Sequence, residues 1–139
     1  MSAASDYLEN ALLDHVLSGG LSSFSAPDTV YLALFTASTG LEENNAITQS
    51  EVEGGTSGYA RKAISFGDAA SGSTSNSATV TFDAAEENWG TVTHVALMDS
   101  ADGAGTNNVL FWGAVTTAKT IEAGDTFQVS SDNLTITLA

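Results

Sequence analysis

One change of hydrophobic period divides this chain and limits what it can fold into. Near the N-terminus apolar residues recur at helical spacing, whereas from Val30 onward they form short blocks separated by Gly, Ser, Asn and Asp clusters. In the first part, Ser5 is placed to cap a helix with Asp6 and Glu9 in its first turn. Leu8, Leu12, Leu13, Val16 and Leu17 form its apolar stripe, and Gly19-Gly20 stops it. A helix this short is marginal alone in water, so the stripe must dock, either on the protein's own sheet or on a partner.

In the second part VYLALFT, residues 30–36, is apolar on both faces, as a central strand buried on two sides must be. Further strands are expected at 59–66, 78–83, 91–99, 108–116, 126–130 and 134–138. Two hairpins are expected, one joining 91–99 to 108–116 and one joining 126–130 to 134–138 across SSDN. Residues 37–57 form a loop longer than loops usually are, expected to be either functional or mobile. Many short strands with one helix, and no crossover helices for a parallel sheet, predict a mainly β chain. The expected fold is an antiparallel β-sandwich or jelly-roll-like barrel with one N-terminal α-helix. The expected organisation is a helix at 1–20, a linker at 21–29 and one β-sandwich domain at 30–139.

Composition then excludes several functions. With 139 residues the chain is long enough for one core without disulfide or zinc, and it has no cysteine for thiol chemistry. Seventeen acidic residues face three bases, a net charge of -14. Phosphate contacts need Lys and Arg, so nucleic acid is not an expected ligand, and an anionic membrane is disfavoured for the same reason. No run of 18 apolar residues and no signal-peptide pattern occurs, so the expectation is a soluble, unprocessed chain.

Candidate chemistry is sparse. Asp99 and Asp102, in DSADG, offer hard oxygens beside a glycine, which makes Ca2+ the one cation to consider; the alternate spacing and closing Glu of a calcium loop are missing, and a structural turn is the simpler reading. No other cofactor is implied. Glu86 and Glu87 are adjacent, which does not suit two carboxylates flanking a glycosidic bond. His94 lies in a strand with no Gly-x-Ser-x-Gly elbow to complete a triad, and His15 is a helix-face residue. Arg61 and Lys62 are neighbours on a strand and must point to opposite faces. Arg61 suits a bidentate carboxylate contact, either within the chain or at a subunit interface. Trp89 and Trp112 are the residues that could stack on a sugar, although both sit beside strands and read more simply as core.

As an ordered set, LENALLDHVL, VYLALFTA, GYARKAISF, NWGTVTHVALMDS, NVLFWGAVTTAKTIEAGDTFQ and LTITLA resemble a family of small tailed-bacteriophage virion proteins. Its members are of the tail-fibre or capsid decoration (cement) type. The resemblance implies a non-enzymatic structural protein made in the bacterial cytoplasm and carried on the virion. The leading expectation is a decoration protein on the outer capsid surface, present in many copies as a homo-trimer or homo-dimer, with the major capsid protein as partner. Leu8, Leu12, Leu13 and Val16 are then the docking stripe and Arg61 a further interface residue. The alternative is a tail fibre or tip protein that recognises the host surface.

Overall fold

The computed structural model describes residues 3–18, 24–45, 47–102 and 107–138. The Gly19-Gly20 stop, part of the expected linker and the middle of the 99–107 connection lie outside the described residues. Strand β1 (Ala3–Ala4) leads into helix α1 (Asp6–Leu17) and then strand β2 (Val30–Phe35). Short strands β3 (Lys62–Ile64), β4 (Ser73–Ser75) and β5 (Val80–Thr81) follow. Two long strands, β6 (Gly90–Met98) and β7 (Val109–Ile121), precede β8 (Gln128–Val129) and β9 (Thr135–Thr137). The main sheet has the order β1-β7-β6-β2-β3, antiparallel throughout, and two ribbons, β4-β9 and β5-β8, accompany it. The chain is thus mainly β, with sandwich-like antiparallel sheets and one N-terminal helix, and the sheets do not close into a barrel.

Alternation along β2 explains the layers. Leu32 and Leu34 point into one core with Ile64, Phe82, Trp89, Val95 and Phe127, under the two ribbons. Ala33 and Phe35 point into a second core with Leu41, Ile47, Met98 and Val109 on the opposite face. Leu32, Ala33, Leu34 and Phe35 are all buried, so the strand is covered on both faces along these four residues, as its apolar sequence requires. In the first core Tyr59, Phe82, Trp89 and Phe127 meet at ring separations of 5.5–6.4 Å, mostly edge to face.

The register of β6 and β7 contains two irregularities, between Val92 and His94 and between Leu97 and Met98. The first lets Val92 and Val95, three residues apart, both face the first core. The second makes Leu110 an extra residue between the Leu97–Phe111 and Met98–Val109 pairs.

Two expectations are corrected. The described part of the 37–57 segment is not an open loop: Leu41, Ile47 and Val52 are buried, and short 3-10 turns at Ile47–Gln49 and Gly55–Ser57 shape it. Thr36 N–H donates to the Ser50 carbonyl and Val52 N–H to the Leu34 carbonyl, so the segment is strapped to β2 as its cover.

The second correction concerns the last hairpin. Strands 126–130 and 134–138 do not pair with each other; β8 pairs with β5 and β9 with β4. The reason is Asn76, fully buried between them. Its Nδ2 donates to the carbonyls of Ala78 and Ser130, each at 2.9 Å, and its Oδ1 accepts from Leu134 N–H at 2.9 Å. Its own carbonyl accepts from Asp132 N–H, and Asp132 takes a left-handed φ of 65° to make this bond. The SSDN turn is therefore wrapped around an amide side chain. Replacing Asn76 with Ala orphans several buried backbone groups at once, so urea denaturation should show a loss of about 3 kcal/mol or more.

Candidate functional site

The N-terminal helix is anchored through its first turn. Ser5 is fully buried; its hydroxyl accepts from Leu8 N–H at 3.3 Å and donates to the Val109 carbonyl, while its N–H donates to the Leu110 carbonyl at 2.9 Å. Asp6 N–H donates to the Glu42 carbonyl at 2.8 Å. Leu8 is buried and Leu12 half-buried, but Leu13, Val16 and Leu17 are 56%, 71% and 74% exposed. The expected stripe is thus split. Its start docks on the protein's own sheet and its end faces outward.

Arg61 is turned inward. Its side chain is 5% exposed, and it grips Glu51 bidentately, Nε to Oε1 at 2.7 Å and Nη2 to Oε2 at 2.8 Å. Nη1 also donates to the Ser100 carbonyl and to Asn107 Oδ1. Tyr59 completes the group, donating to Glu51 Oε1 at 2.8 Å and accepting from Leu34 N–H at 3.1 Å. The guanidinium therefore ties the β6–β7 connection, the segment covering β2, and β2 itself together. Burial opposes its charge, but the hydrogen bonds and charge of Glu51 outweigh this and hold it protonated beyond its ordinary range. Burial first, and then the negative charge of Glu51, push the Tyr59 phenol well above its ordinary value. Lys62, on the other face, makes a 3.1 Å contact with the exposed Asp83, an ion pair of little consequence for stability.

Asp99 and Asp102 have different surroundings. Asp99 accepts from the backbone N–H and the Nδ2 of Asn108, each at 2.8 Å, while Asp102 is exposed. Among the described residues no three His, Cys, Asp or Glu side chains are grouped to hold a metal ion. Glu86 and Glu87 are both exposed, and His94 Nδ1 lies 2.9 Å from Thr93 Oγ1. Trp89 is 6% exposed and donates to the Ser57 carbonyl, and Trp112 packs half-buried against the second core. Trp89 in particular presents no free ring face for a sugar.

The concave feature with chemistry on its walls is one the sequence did not announce. A cavity of about 630 Å³ opens where α1, residues 24–29 and the start of the β6–β7 connection meet. Tyr7, Phe24 and Tyr31 supply rings to its lining, and Asp28, Asp99 and Asp102 supply carboxylates. Tyr7 lies off the leucine stripe and Tyr31 sits 24 residues later on β2, so no local pattern joins them. The only available signal was a pair of tyrosines amid Asp, Ser and Thr.

Compared with known proteins, the chain matches the family model described as Podophage GP4 fiber I protein gp80 over residues 3–137. No curated protein matches it. That description speaks of a fibre, which favours the tail-fibre alternative over capsid decoration.

The Arg61 group yields two expectations. Arg61→Ala leaves Glu51 buried without its counter-charge and should cost about 3–5 kcal/mol in chemical denaturation. Tyr59 gives an alkaline signature. The unfolded chain releases this proton near pH 10 and the folded chain retains it, so its contribution to stability is complete below about pH 10 and declines above it. Unfolding free energies measured from pH 9 to 11 should fall less steeply in Tyr59→Phe, by up to about 1.4 kcal/mol per pH unit.

Proposed function

Because the chain belongs to the podophage GP4 fiber I gp80 family and is thereby a phage virion structural protein, we propose that it is a non-enzymatic fibre component that acts at the host surface. The observation that carries this reading is the extent of the match, from the first strand to the last. The division of α1 supports a mode of attachment. Leu13, Val16 and Leu17 expose apolar surface on a helix whose first turn is held by the body, and burying each against another virion protein contributes about 1–2 kcal/mol. Specific attachment through such a patch leaves the sandwich projecting outward. The net charge of -14 keeps neighbouring copies apart except where such contacts hold them, and salt weakens that repulsion.

Immunogold labelling of intact virions tests the placement. Gold on the fibres is expected, whereas gold distributed over the capsid shell would reinstate the decoration reading with the major capsid protein as partner. Leu13→Glu with Val16→Glu should leave the circular dichroism and melting temperature of the isolated protein close to those of the parent and remove it from purified virions.

A further inference from the structure

We propose that the cavity between α1 and the start of β2 is a carbohydrate subsite for an uncharged or amino-bearing sugar unit. This rests on the host-surface reading above and names the ligand class. Its volume, about 630 Å³, lies in the range of small-molecule sites and accommodates one or two sugar rings.

The walls provide the two kinds of contact a sugar ring requires. Tyr7 is 37% exposed, and Phe24 and Tyr31 are half-buried. None of the three packs against another aromatic ring among the described residues, in contrast to Tyr59, Phe82, Trp89 and Phe127, which pack together in the core. Aromatic faces carry partial negative charge, and the C–H face of a pyranose carries the complementary positive edge. A protonated amino group adds a cation–π contact.

The second kind of contact is polar. The Tyr7 and Tyr31 hydroxyls and the Asp28 carboxylate make no hydrogen bond or ion pair among the described residues, and all three line the cavity. An ionised carboxylate only accepts, so it selects hydroxyl or ammonium donors, and charge assistance strengthens those bonds.

Charge narrows the class further. Among the described residues no lysine or arginine lines the cavity; Arg61 reaches the Ser100 carbonyl with its side chain only 5% exposed and its guanidinium bound to Glu51. Asp28 and Asp102 at the lining, in a chain of net charge -14, repel uronates and sugar phosphates. The cavity is therefore built to favour neutral and amino sugars over acidic ones.

The test is titration of the full-length isotope-labelled protein, followed by NMR, with three probes of equal length: a glucosamine tetramer, a neutral glucose tetramer and a polyuronate tetramer. The proposal expects shifts confined to residues around Tyr7, 24–31 and 99–102 with the first two probes and none with the third. Tyr31→Ala should weaken binding about tenfold. Tyr31→Phe, which keeps the ring and so the local packing, should retain most of the affinity, and Asp28→Asn should weaken the glucosamine probe more than the glucose probe. Absence of binding by both non-acidic probes, equal binding of the polyuronate, or full affinity in a folded Tyr31→Ala protein would each overturn the subsite. Absence of binding alongside gold on the fibres would overturn the subsite and leave the fibre reading standing. Sugar binding alongside gold on the capsid would do the reverse.

Discussion

The constraint on which the rest of this structure depends is that β2 is apolar on both faces and therefore needs cover on both. On one side the two ribbons and the aromatic group of Tyr59, Phe82, Trp89 and Phe127 provide it. On the other, segment 37–57 provides it through Leu41 and Ile47, together with Met98 of β6 and Val109 of β7. A sheet with only one greasy face could have left this segment in solvent. Here it has to fold down, and its backbone bonds to Thr36 and Leu34 follow from that position.

The same constraint explains how so acidic a chain tolerates a nearly buried ion pair. Covering β2 brings Glu51 against the sheet beside Phe35, where an isolated carboxylate would be costly. Arg61 answers it with two parallel hydrogen bonds, and the remaining guanidinium donor reaches the connection between β6 and β7. Arginine suits this position because its planar fork serves carboxylate, carbonyl and amide oxygens at once, which a lysine ammonium cannot match. One of only three bases thus holds the covering segment to the region that borders the cavity.

Legibility in the sequence followed the length and periodicity of each element. Helix α1, β2 and the β6–β7 hairpin were evident because each repeats its pattern over several residues. Strands β1 and β4 were not, since two or three small or polar residues carry no period, and β4 lies inside what reads as a turn cluster. The β8–β9 pairing was misassigned because a short turn between two apolar runs normally closes a hairpin. Nothing local indicates that an asparagine more than fifty residues earlier occupies that turn.

By itself the sequence determined the class: a strongly acidic chain of one helix followed by antiparallel strands, with one strand buried on both sides. Hydrophobic period and net charge are properties of neighbouring residues and of their sum, so they can be read without coordinates. Tertiary structure alone decided that the leucine stripe divides after Leu12, that Arg61 meets Glu51, and that Tyr7 and Tyr31 border one cavity. Each of these depends on which distant surfaces meet, and that is set by the joint packing of two cores against one sheet.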